Sequence, residues 1–175
     1  MMGFTEAQVQ AMLQAININN NIATTLADLK KWYNGYLFNI NAEQSLYNSD
    51  MVLYFMKYYQ LYQTYPRNML DTNISSDYSK LRRLFSLQTP VKNYKILSSI
   101  VENKEIAGEV VEEFSFGRVF EENDFISLLY YLGYLTIKDD IGGIAQLQIP
   151  NYVIEKLYLD YFLSLVKEQS ALPSD

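Results

Sequence analysis

Apolar positions recur at helical spacing from the start of the chain. Val9, Met12, Leu13 and Ile16 fall three and four apart, which marks one buried stripe of a helix, and Thr5 offers an N-cap hydroxyl ahead of Glu6–Ala15. The polar run over 16–21 ends this element as a solvated turn. A second helix is predicted over 24–33, capped by Thr24 or Thr25 and stopped by Asn34-Gly35, with Gly35 suited to the left-handed position after a helix. Residues 36–40 read as a short extended piece. Ser49 and Asp50 cap an apolar helix over 51–62 whose apolar residues surround most of its circumference, a distribution that predicts burial on more than one side. Pro66 punctuates the chain. Ser75 or Ser76 then opens a helix to about residue 87, and Pro90 closes the linker after it.

From residue 91 the pattern changes. Residues 94–102 have helical spacing. Residues 105–116 alternate as a strand, with Ile106, Val110 and Val111 β-prone. An apolar helix over 122–132 ends at Gly133. Two short strands, 134–138 and 145–149, flank a turn rich in Asp and Gly over 139–143. Asn151 caps a last helix to about Val166, with Ile154, Leu157, Tyr158, Tyr161 and Leu165 on one stripe, and 170–175 read as a frayed tail. Helix, strand, helix, hairpin, helix is the order of a winged-helix unit. The predicted fold class is therefore mainly α with a small β component: a helical bundle over 1–90, then a winged-helix-like unit over 91–169. With no low-complexity linker between them, the two parts are expected to pack together.

Composition narrows the chemistry more than the architecture. Apolar residues make up 49% of the 175 positions and charged residues 19%, enough for a core and against wholesale disorder. There is no Cys and no His. Disulfides, thiolate nucleophiles, His-based triads and the commonest metal ligand are thereby excluded, and a carboxylate-only Mg²⁺ site remains open in principle. The net charge of −6 opposes binding to phosphate backbones and anionic lipid unless the cations cluster. No run approaches the roughly 20 apolar residues of a membrane span, and the first residues lack a signal-peptide pattern, so a cytoplasmic protein is expected. Sixteen Tyr and nine Phe are expected mostly in cores, with ring bodies buried and hydroxyls at the edge.

Five strings, GFTEAQVQ (3–10), LKKWYNGYLF (29–38), SLYNSDMVLYFM (45–56), DFISLLYYLGYLTI (124–137) and LQIPNYVIEKLY (147–158), resemble successive landmarks of one bacterial family, the predicted AAA-ATPase-like family. Its full-length members usually carry a PD-(D/E)xK nuclease-like domain after the ATPase. Order and spacing agree over nearly the whole chain, and Ser49 stands where the family often has Pro. The resemblance covers the part that follows the nucleotide-binding core. The phosphate loop is absent, since none of the seven Gly precedes a Lys. The resemblance implies that residues 1–90 form a lid over a nucleotide held elsewhere, that ATP and Mg²⁺ belong to the parent protein, and that this chain holds no cofactor.

Four local signals invite a role. Trp32, Tyr33, Gly35 and Tyr36 mark either a surface that docks the lid on the ATPase core or a structural corner with its aromatics folded inward. Lys80, Arg82, Arg83, Lys92 and Lys95 fall in a window free of acid and hold 5 of the 14 basic residues. Arg82 and Arg83 are the candidates for nucleotide phosphates, because a guanidinium stays charged and binds phosphate bidentately; a solvated positive face, a partner for the acidic segment and a nucleic-acid patch are the other readings. Residues 102–124 hold eight acids against Lys104 and Arg118, an exposed acidic edge without a metal-loop pattern. Glu102 and Lys104, with Asp71 or Asp77 upstream, imitate a nuclease motif, but that chemistry needs its carboxylates on adjacent strands. The helix opening Glu121-Glu122-Asn123-Asp124 and the acidic wing turn both argue against reading DNA.

The sequence thus predicts a non-catalytic regulatory segment, with no enzyme activity of its own. Its partners would be the nucleotide-binding domain and the C-terminal effector domain of the same polypeptide. The alternatives are a stand-alone protein-interaction adaptor and, third, a nucleic-acid-binding module using the basic stretch. A segment parted from its docking face would also expose aromatics and form homodimers.

Overall fold

The computed structural model describes residues 3–18, 21–69, 74–86, 90–113 and 121–170. It is mainly helical with a small β component. Strand β1 (Gly3–Phe4) leads into α1 (Glu6–Ala15), and α2 (Ile22–Tyr33) follows. Thr5 caps α1 as predicted, and Gln8 completes a capping box by returning its side chain to the Thr5 N–H at 2.9 Å. The cap of α2 is Asn21 instead of either threonine, so the helix begins two residues early. Thr25 is buried, with its hydroxyl donating to the Asn21 carbonyl.

Strand β2 (Tyr47–Asn48) pairs antiparallel with β1, and Asn48 caps α3 (Ser49–Tyr62) by accepting from the Met51 N–H at 3.1 Å. The helix α4 spans Ile74–Phe85, so Ser75 and Ser76 lie inside it rather than ahead of it. The helix α5 spans Pro90–Asn103. Pro90 opens this helix, because a first-turn position needs no N–H donor.

The second half keeps the predicted order. β3 (Glu105–Gly108) is shorter than expected and ends before Glu109; the rest of the predicted strand runs partly outside the described residues. α6 (Glu122–Tyr131), β4 (Thr136–Ile141), β5 (Ile144–Gln148) and α7 (Tyr152–Ser170) follow. The sheet order is β3-β5-β4, all antiparallel, and Gly142 and Gly143 take positive φ at the hairpin turn.

The two halves share one hydrophobic core. α7 packs on α2 and α4 as well as on α5, so Tyr158 and Leu157 lie in the same cluster as Leu29, Tyr33 and Leu81. A polar pin reinforces the joint. The buried Thr136 hydroxyl accepts from the Leu37 N–H at 2.7 Å and donates to the Leu37 carbonyl at 3.1 Å, pairing both backbone groups of that residue. Among the described residues, no helix is long and apolar enough to cross a membrane.

Candidate functional site

The turn after α6 builds one wall of a cleft. Gly133, at φ +78, follows the helix end; its N–H reaches the Tyr130 carbonyl at 2.9 Å and the Tyr134 N–H reaches Leu129 at 2.8 Å. This pair of bonds is a Schellman stop, which requires a residue tolerant of positive φ. Leu132, Gly133 and Tyr134 thereby face the start of α3, the last turns of α4 and Ile154 of α7 across a cleft of ≈ 440 Å³. Tyr36 closes it from the first half. The walls therefore come from both sides of residue 90.

Three charged side chains line this cleft: Asp50, Lys80 and Arg83. The neighbouring arginines divide. Arg82 turns to α7 and pairs with Glu168 at 3.0 Å, both side chains more than half exposed. Arg83 faces the cleft and makes no side-chain ion pair among the described residues. Lys95 lies at a separate hollow beside Glu122. Among the described side chains the basic window is thus split among three surroundings and does not present one continuous face. Lys92 lies on α5, with its side chain outside the described residues.

The aromatic motif is an internal corner. Tyr33 and Tyr36 are buried. The Tyr33 hydroxyl donates to the Met69 carbonyl at 2.7 Å, and Tyr36 bridges to Leu46 through both backbone groups. Trp32 meets the edge of Tyr152 with centroids 4.7 Å apart, while the Lys31 ammonium lies 5.1 Å from the same Tyr152 ring. Gly35, at φ +113, runs against Pro150: a Cβ there would lie 1.8 Å from the Pro150 carbonyl oxygen. The Trp-Tyr-Asn-Gly-Tyr and Ile-Pro-Asn-Tyr strings, far apart in sequence, are the two sides of one joint between α2 and α7.

Burial raises four phenols, those of Tyr47, Tyr130, Tyr158 and Tyr161, above the ordinary value near 10. Burial pushes Tyr47 up to about 12, with a bond from Asn34 opposing and the nearby Glu6 carboxylate adding to the rise. Burial also pushes Tyr158 well upward, and the Tyr134 and Tyr36 phenols, both on cleft-lining residues, act in the same direction. The Tyr158 hydroxyl is fully buried and makes no hydrogen bond among the described residues. The Lys30 ammonium, bonded to Glu6 at 2.8 Å, holds that exposed carboxyl below its usual value.

The acids of the second half do not converge. Lys104 pairs with Glu155 at 2.7 Å, Lys138 pairs with Glu105, and Glu102 is exposed. The nuclease-like grouping is therefore not assembled by Glu102 and Lys104; Asp71 and the Asp77 side chain lie outside the described residues. Among the described residues, no three acids come together as a metal site. Asp124 is buried and accepts from the Glu121 N–H at 2.8 Å, closing the first turn of α6. Phe125, Ile126 and Leu129 of that helix are buried, with Glu121 and Glu122 exposed at its start.

The sequence reading missed the outer face of α3. Met51, Val52, Phe55, Met56 and Tyr59 are buried on one side only, while Leu53, Leu61 and Tyr62 are exposed at 50%, 65% and 62%. Burial on several sides is therefore not what happens. The signal was present, because an apolar circumference with one buried face leaves the other without a cover. Asp50, read only as a capping residue, lines the cleft as well. No family model matches the chain, and no curated protein or solved structure matches it either.

Proposed function

We propose that this chain is a non-catalytic regulatory and structural segment of a cytoplasmic AAA-ATPase-like protein, in which it follows the nucleotide-binding core and relays nucleotide state to an effector domain. The observation that carries this reading is the cleft, which has Arg83 directed into it and walls drawn from both halves of the chain. A guanidinium with no ion-pair partner among the described residues is suited to phosphate oxygens. The cleft's donor set, Arg83 and Lys80 against the single carboxylate of Asp50, fits phosphate and does not fit a divalent cation. Mg²⁺ would accordingly be held by the nucleotide-binding domain.

In this reading residues 1–90 are lid-like and residues 91–169 are winged-helix-like. A phosphate drawn to Arg83 biases the position of α4. That bias passes to α7 through contacts that α4 already makes: Arg82 with Glu168, and the Tyr78 hydroxyl with the Ser164 hydroxyl at 2.8 Å. Such a relay needs two arrangements of α4 on α7 that nucleotide stabilises unequally. Amide hydrogen exchange on the full polypeptide tests it. Nucleotide is expected to change protection along α4 and α7; unchanged protection in both helices would remove the relay.

A second reading, a protein-interaction adaptor, is favoured by the exposed apolar face of α3. It is compatible with the first, because a regulatory segment also has to meet its partners.

A further inference from the structure

The outer face of α3 is concave as well as apolar. Leu53, Tyr54, Tyr58, Leu61 and Tyr62 line a depression of ≈ 510 Å³ together with Lys57 and Asp50. Asp50 also lines the cleft that holds Arg83, so the two hollows adjoin at this residue. Its charge runs against that of the chain. Lys57 and Arg83 make no side-chain ion pair among the described residues, and Asp50 is the one carboxylate lining either hollow, in a protein of net charge −6.

We propose that this combined surface binds an acidic amphipathic helix of a protein partner, with the helix's apolar stripe on α3 and its carboxylates against Lys57 and Arg83. A single exposed helix face is covered most completely by a second helix, at an axis separation of about 8–10 Å. From Leu53 to Leu61 the face runs about 12 Å, roughly two turns of such a helix, and the apolar anchors of the partner would recur at i, i+3, i+4 and i+7. Charge selects the partner. A second copy of this chain would oppose Lys57 and Arg83 to their own counterparts. The inference rests on the reading that Arg83 acts in the cleft, and it adds regulation there: the partner helix and a nucleotide phosphate exclude one another at Arg83.

Fluorescence anisotropy on this chain tests the surface directly. The probe is a labelled synthetic helix of about four turns, with Leu on one stripe and Glu beside it; the control is the same composition in scrambled order. The patterned helix is expected to bind at least about tenfold more tightly than the scrambled one, and more weakly as salt rises. Lys57→Glu, Arg83→Glu and Leu61→Ser are each expected to weaken it about tenfold, with circular dichroism unchanged because all three side chains are exposed. Equal affinity for the two peptides, or indifference to all three substitutions, overturns the proposal. Concentration-dependent dimerisation abolished by Leu61→Ser, without peptide binding, overturns it in favour of a second copy. Preference for anionic vesicles over the peptide overturns it in favour of lipid. Peptide binding that ATP fails to displace from the full polypeptide supports the surface and contradicts exclusion at Arg83. ATP binding that needs Arg83, with no peptide binding, rejects the surface and leaves the nucleotide reading standing.

Discussion

The carbonyl oxygen of Pro150 occupies the space into which any side chain on Gly35 would grow, with 1.8 Å between it and a Cβ at that position. The loop after α2 therefore touches the chain just ahead of α7, backbone to backbone. Gly35→Ala meets this clash and an unfavourable φ of +113 together. It is expected to cost about 3 kcal/mol, a fall in Tm of about 10 °C for a domain of this size. Gly35→Val is expected to cost more. A thermal melt unchanged by either substitution would show that the joint is not a point of close packing.

Tyr33 and Tyr158 are both fully buried, yet their hydroxyls differ in circumstance. Tyr33→Phe removes the donor to the Met69 carbonyl and is expected to destabilise by about 1 kcal/mol. Tyr158→Phe removes a hydroxyl without a hydrogen-bond partner among the described residues and is expected to leave stability unchanged or raise it by about 1 kcal/mol. Denaturant melts of the two variants are expected to move in opposite directions, or in the Tyr33 variant alone. A loss in Tyr158→Phe equal to that in Tyr33→Phe would contradict the account.

Thr136→Val keeps the shape of the side chain and deletes its hydroxyl. Both backbone groups of Leu37 lose this partner, and leaving these part-buried groups unpaired is expected to cost about 1–2 kcal/mol. Thr136→Ser keeps the hydroxyl and is expected to recover most of that loss. Equal melting temperatures for the Val and Ser variants would show that the pin carries no weight.

Alkaline pH is expected to unfold the protein. Tyr47 titrates at about 12 in the fold and near 10 when unfolded; Tyr158 is shifted the same way. A raised pKa means that the folded state holds its proton longer. The stabilisation is thus complete below about pH 10 and is lost as pH rises through about 12. Melting temperature followed across this range, with tyrosinate absorbance, is expected to fall steeply; a flat profile would contradict the burial of these phenols.

Much of the architecture was legible because local chemistry and final structure agree. Thr5 with Gln8, Asn151 ahead of α7, the Gly133 stop and the Gly142-Gly143 turn all declare themselves within a few residues. The misplaced boundaries have local causes too. Asn21 and Asn48 took the caps expected of Thr24, Thr25, Ser49 and Asp50, since a short amide side chain serves as well. What could not be read were relationships across the chain. Nothing near Gly35 announces Pro150, and nothing near Thr136 announces Leu37. The division of Arg82 from Arg83 depends on where α7 and α3 pass α4, which the basic window alone does not contain. The outer face of α3 was visible as excess apolar surface but was assigned to the core.

Calorimetric titration of ATP into the full polypeptide that carries this chain, compared with its Arg83→Ala and Arg82→Ala variants, bears most directly on the proposed role. Loss of a charge-assisted phosphate contact is expected to weaken binding by about tenfold or more in Arg83→Ala. Arg82→Ala, which removes only an exposed ion pair with Glu168, is expected to stay within about twofold. No nucleotide binding by the full polypeptide, or equal affinities for all three proteins, would contradict the account.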